Sequence, residues 1–146
     1  MRLFLITLAL IFANQATAIT LSEMESVRVI FEDGAKNGCW TNLRESREYV
    51  EEKLRQKGAK ITDRDTLINA RLKTYMFYLN VNAKRIYKDG TGPCYGNVKA
   101  KVETITTVNG DDGFFILKDE GSIILRTDNF NRDILDIISD LVRELD

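Results

Sequence analysis

The segment Cys94–Val108, "CYGNVKAKVETITTV", decides how the chain is read. Val98, Ala100, Val102, Thr104 and Val108 fall on one side of it, and Lys99, Lys101 and Glu103 on the other. A period of two with one apolar side marks a strand whose sheet buries one face and wets the other. The glycines that precede it, in "DGTGPCYG", raise a separate choice between a phosphate cradle and a structural turn. A Walker loop needs Lys-Ser/Thr after its last glycine and a helix beyond, whereas these glycines run into a strand. Gly90, Gly92, Pro93 and Gly96 therefore read as turn formers.

The same alternation appears upstream, where Phe77, Leu79, Val81 and Ala83 interleave with Tyr78, Asn80, Asn82 and Lys84. Two such neighbours joined by a turn should pair antiparallel. Downstream, "NGDDG" over 109–113 signals a hairpin, and "FFILKDEGSIILR" over 114–126 is one long bent strand or a short hairpin about Asp119-Glu120-Gly121.

Towards the amino terminus, "VRVIF" over 27–31 reads as a first strand, followed by "EDGAKNG" as loop. The pattern then becomes helical over 42–57, with Leu43, Val50 and Leu54 on one side. Asn42 and Glu45 stand at capping-box spacing, and Gly58 supplies the stop. "AKIT" over 59–62 returns as a short strand, and residues 63–73 are open between helix, strand and loop. At the carboxyl end Phe130, Ile134, Ile137, Ile138, Leu141 and Leu145 form a continuous apolar stripe, capped by Asp128 or Asn129. The order β-α-β-β-β-β-α implies an α+β two-layer sandwich, a mainly antiparallel sheet with two helices on one face. Its other face, carrying Lys84, Asn80, Asn82, Lys99, Lys101 and Glu103, is then wet or a docking surface.

The first eighteen residues carry Arg2, a short apolar run and a closing Ala16-Thr17-Ala18, the layout of a secretory signal peptide. Cleavage near Ala18 leaves 19–146 as a single domain in the periplasm or outside the cell, with no membrane insertion of the mature chain. No cysteine follows those small residues, so lipid attachment there is not expected. Export also places Cys39 and Cys94 in an oxidising compartment, where two thiols in one small domain pair. Closing a loop of that length stabilises a fold by roughly 4 kcal/mol.

With twenty-one Lys and Arg against twenty-two Asp and Glu, nothing in the charge pattern attracts nucleic acid or anionic lipid. The absence of histidine removes Ser-His-Asp, Cys-His and His-metal chemistry. Carboxylate pairs remain at Asp111-Asp112 and Asp119-Glu120, both read as turns, where acids serve the backbone and their pKa values are not driven apart. Asn109, Asp111 and Asp112 offer oxygens to calcium but lack the twelve-residue loop. The expectation is a monomer with no cofactor and no metal, binding a protein partner through exposed side chains. Lys99, Lys101 and Tyr78 are the candidate contacts.

The succession "VRVIFED", "LRESREYVEEKLRQKGAKI", "YLNVNAKRIY", "NVKAKVETITTV" and "ILDIISDLVREL" resembles small exported α+β domains. These are typified by the amino-terminal domain of TolB and by lipoprotein activators of penicillin-binding proteins. The resemblance implies a non-enzymatic assembly or docking module of the bacterial envelope. Two other readings stand beside it. One is a secreted inhibitor or immunity-type protein that plugs an enzyme's cleft with a stiff loop near Cys94. The other is a small carboxylate-dependent hydrolase. The cysteine reading is directly testable: thiol titration of denatured, unreduced protein is expected to find no reactive group, and two per chain would remove the staple.

Overall fold

A computed structural model describes Met24, residues 26–62 and residues 74–145. The expected signal peptide and the open segment 63–73 lie outside the described residues. Six elements follow in the order β1 Ser26–Asp33, α1 Leu43–Gln56, β2 Thr74–Arg85, β3 Cys94–Val108, β4 Asp111–Arg126 and α2 Asn131–Arg143. The four strands lie side by side in chain order. β1 and β2 are parallel, while β2–β3 and β3–β4 are antiparallel. The result is the α+β class the periodicity implies, with two antiparallel pairings out of three.

The alternating strands deliver their apolar side inward. Phe77, Leu79, Val81 and Ala83 of β2 and Val98, Ala100 and Val102 of β3 are buried in one cluster with Val27 and Val29 of β1. Val50 and Leu54 of α1 and the whole α2 stripe join it, so both helices share this face. Every stripe residue from Phe130 to Leu145 named above is buried. Two ion pairs also pin α2 to β4, Arg126 with Asp133 and Lys118 with Glu144. The hydrogen bond and charge of Lys118 hold the Glu144 carboxyl below its ordinary value.

Helix α1 ends as its glycine requires. Gly58 has φ +91°, its N–H reaches the Arg55 carbonyl at 2.9 Å, and the Ala59 N–H reaches that of Leu54 at 3.0 Å. That paired closure is the Schellman motif, completed by burial of Leu54 and Ala59. The helix start differs from expectation. Asn42 occupies the N-cap without a side-chain cap bond, and its Oδ1 instead accepts the Ser46 hydroxyl at 3.2 Å. Ser46 in turn receives the Trp40 Nε1–H at 3.4 Å, so Ser46 is buried on the inner side and Leu43 is left partly exposed. At α2, Phe130 is the N-cap residue, and the Asn129 side chain accepts the Asn131 N–H at 3.1 Å.

Two strand readings are corrected and one open choice is decided. "AKIT" forms one bridge, Ile61 with Val27, held by Val27 N–H to Lys60 O at 2.8 Å and Thr62 N–H to Val27 O at 3.0 Å. With Ala59 drawn under the helix, too few residues remain to build a ladder. β1 extends through Glu32 and Asp33, because their partners Asn80 and Val81 continue the parallel register. The segment 114–126 is a single strand within β4. Asp119, Glu120 and Gly121 pair with Lys101, Ala100 and Lys99, so the available β3 edge outweighs the local turn signal. Between β3 and β4, Asn109 (φ +54°) and Gly110 (φ +93°) form the two-residue turn that "NG" implies. Between the pairs Val102–Lys118 and Glu103–Ile116, Leu117 is left over as a bulge.

The disulfide joins Cys39, ahead of α1, to Cys94 at the start of β3, with Cα atoms 5.6 Å apart and both residues buried. The helix stripe supplies a clean test of the layer arrangement. Ile138→Asp is expected to lower stability by several kcal/mol, since it buries an unpaired carboxylate. Ser139→Asp, one position round, should change it by less than about 0.5 kcal/mol. Equal melting temperatures in a thermal scan would show that α2 does not pack on the sheet.

Candidate functional site

The face of the sheet opposite the helices is built from the other half of each alternation. β1 contributes Glu32, β2 contributes Tyr78, Asn80 and Asn82, β3 contributes Lys99, Lys101 and Glu103, and β4 contributes Asp119. The three candidate contacts are brought together here. Tyr78 stands opposite Lys101 across the β2–β3 pair, and Lys99 lies opposite the neighbouring Asn80.

These side chains hold one another. The Lys101 ammonium sits 4.8 Å from the centroid of the Tyr78 ring, a cation–π distance. The Tyr78 hydroxyl donates to Glu32 Oε2, and Asn80 Nδ2 donates to the same oxygen at 2.8 Å. Asn82 Nδ2 reaches Asn80 Oδ1 at 3.2 Å. On the other flank Lys101 Nζ lies 2.7 Å from Glu103 Oε2, and Lys99 Nζ lies 3.2 Å from Asp119 Oδ2. Both lysines are therefore paired, and polar contacts run across all four strands.

Glu103 departs from the wet-face expectation, being only 5% exposed. Its cross-strand neighbours are Met76 on β2 and Ile116 on β4, so the carboxylate lies between two apolar residues and Lys101 supplies its counter-charge. Glu32 escaped the sequence reading because "EDG" looks like loop. The signal was present in Arg28, Ile30 and Glu32, which continue the outward half of the β1 alternation.

The acidic doublets do not form sites of paired acids. Asp119 and Glu120 are successive residues of one strand, so their side chains leave opposite faces of the sheet, Asp119 towards Lys99. Asp111 and Asp112 open the same strand, and Asp112 Oδ1 accepts the Thr107 hydroxyl at 2.5 Å. Among the described residues no group of three or more acids and cysteines gathers as a metal would need.

A different feature lies at one end of the sheet. The loop between β2 and β3 leads directly into Cys94 and exposes Ile86 and Tyr87, the latter to 59%. It is braced from within. Arg85 donates to the Gly92 carbonyl at 2.9 Å and to Asn37 O at 3.2 Å, and Ile86 N–H reaches Pro93 O at 2.9 Å. The Tyr87 ring lies so close to Gly92 that a Cβ there would stand 2.6 Å from it. Asp89 accepts both the N–H and the hydroxyl of Thr91, which holds its carboxyl below the ordinary value.

The domain is thus a mixed four-stranded sheet backed by two helices. No protein-family model matches the sequence, and no curated relative matches it. Among solved structures, a PelC dodecamer of Paraburkholderia phytofirmans, determined as a point variant, is similar over 88% of this chain and 90% of that one, with TM-score 0.41 and 14% identity. The hypothetical protein CT253 of Chlamydia trachomatis is similar over 83% of this chain and 93% of that one, with TM-score 0.38 and 8% identity. Likeness at this level carries no argument about function.

The Lys101–Glu103 pair makes the two lysines unequal. Lys101→Ala strands the enclosed Glu103 carboxylate and is expected to cost about 1–3 kcal/mol in urea unfolding, less than breaking a fully buried pair because Lys101 is partly exposed. Adding Glu103→Gln should recover part of the loss. Lys99→Ala, at an exposed pair, should cost less than about 1 kcal/mol. Equal losses at the two lysines would remove the distinction.

Proposed function

We propose that this chain is an exported, disulfide-stapled docking module of the bacterial envelope that binds a protein partner through the outer face of its sheet, with no catalysis of its own. The observation that carries the reading is the crosslinked carpet of Glu32, Tyr78, Asn80 and Lys101, flanked by the Lys99–Asp119 pair, on a face that no helix among the described residues covers. Held side chains lose little rotamer freedom on binding, and a Tyr flanked by paired charges offers both apolar area and hydrogen bonds. Export rests on the first eighteen residues, with support from the buried disulfide. No helix among the described residues is long and apolar enough to cross a membrane. The resemblance to envelope assembly domains points the same way.

A second reading is favoured by the braced loop: a secreted inhibitor or immunity-type protein would present Tyr87 to an enzyme's cleft from the disulfide-anchored turn. One capture experiment separates the two, using mature protein with its disulfide intact as bait in envelope extract. Lys99→Glu combined with Tyr78→Ala is expected to abolish partner capture while the variant still melts cooperatively. Tyr87→Ala and Asp111→Asn/Asp112→Asn should capture as the parent does. Loss confined to Tyr87→Ala would transfer the function to the loop, and loss confined to the aspartate variant would restore the carboxylate enzyme.

A further inference from the structure

The two edges of the sheet are finished differently. On β1, both backbone groups of Val27 are taken by Lys60 and Thr62, and the Val29 carbonyl accepts Arg47 Nη1 at 3.0 Å. The amino-terminal half of that edge is therefore occupied. β4 is the opposite edge, sixteen residues long, and among the described residues no other element pairs with its outer side. It also carries the most exposed large apolar side chains among the described residues, Ile123 at 91%, Phe114 at 66% and Leu125 at 65%. A long edge strand of this kind is a template for another strand, unless charges forbid it.

We propose that β4 pairs antiparallel with β4 of a second copy of this chain, joining two four-stranded sheets into one across a two-fold axis at Asp119. The charges on the strand select this pairing rather than prevent it. With the axis at Asp119 and Leu117 left over in each copy, as it already is against β3, Lys118 stands opposite the second copy's Glu120. Further out, Phe114 meets the second copy's Ile123, and Asp111 meets its Arg126. Each pair lies on one face. Phe114 and Ile123 project outward, whereas Lys118, Glu120, Asp111 and Arg126 project to the helix side. The like charges at the axis, Asp119 and its copy, are each already held by a Lys99 at 3.2 Å.

Neighbouring registers lose the opposite-charge pairs. With Leu117 left over as before, moving the axis one residue back sets Glu120 against the second copy's Phe115, and moving it one residue on sets Lys118 against its Ser122. Neither leaves Asp111 opposite Arg126, and opposite charges directly across a strand pair favour it. At the axis chosen, the acid and base pairs each occur twice, as an isologous interface requires. This dimer uses the β4 edge and leaves Tyr78 and Lys101 open, so it stands whether or not the outer face binds a partner.

Sedimentation equilibrium on the disulfide-intact chain tests the state, and cysteine pairing tests the register. The chain is expected to sediment at twice its monomer mass at roughly 100 µM. Asp119→Cys, at an exposed position, should oxidise to a covalent dimer, because residues opposed on paired strands bring their Cα atoms within disulfide range. Phe114→Cys and Ile123→Cys should each stay uncrosslinked alone and crosslink when mixed. Asp111→Arg should weaken association by about tenfold, since the repulsion is incurred twice. A monomer at that concentration overturns the proposal. So does a dimer in which Asp119→Cys fails to crosslink, or in which Phe114→Cys crosslinks with itself.

Discussion

The Cys39–Cys94 bond sits where most of the elements converge. Cys94 opens β3 and is paired on one side with Arg85, the last residue of β2, and on the other with Arg126, the last of β4. Cys39 belongs to the segment leading into α1, and its carbonyl accepts the Phe130 N–H at 2.8 Å, fixing the start of α2. Thr41 and Asn131 repeat that tie with two further hydrogen bonds, at 3.0 and 2.8 Å. The crosslink therefore does more than shorten a loop. It fixes the ends of β2 and β4 and the starts of β3, α1 and α2 at one corner, from which the two helices run over the same face of the sheet.

That arrangement explains why no helix among the described residues covers the second face of the sheet. A parallel β1–β2 pair needs a crossover, and α1 is that crossover, lying against β1. α2 returns over β3 and β4 and touches α1, so the two helices complete one layer. The sheet's inner residues are covered by that layer, and its outer residues are left to satisfy each other. The Glu32–Tyr78–Asn80 cluster and the two lysine pairs are that solution.

Much of this is legible in the residues, and the losses have specific causes. Alternation over Phe77–Lys84 and Val98–Glu103, the 109–110 turn and the α2 stripe are repeated, local signals, and each appears where its period places it. The misreadings, and the choice the residues leave open over 114–126, arise where long-range pairing competes with a local cue. Asp119-Glu120-Gly121 has turn composition, yet the β3 edge is long enough to hold it extended. "AKIT" has strand composition, yet the Gly58 closure draws Ala59 into the core and leaves one bridging residue. At the candidate site, Tyr78, Lys99 and Lys101 share a face because the period is two, but which lysine is structural depends on Glu103 and hence on its flanking strands. No property of residues 99–103 taken alone marks Glu103 as enclosed.

The bulge at Leu117 links the face to the edge. Without it, β4 would keep one phase throughout, and Phe114 and Ile116 would fall on the same side as Glu120, towards the helix layer. The extra residue reverses the phase, so Phe114, Ile116, Ile123 and Leu125 all project outward although the strand passes through a charged centre. One residue of slack thus sets an apolar row at both ends of an open edge and leaves Lys118 facing inward to Glu144. A strand whose two halves present the same outward chemistry about a charged midpoint is complementary to its own reverse, which is the property an antiparallel two-fold contact requires.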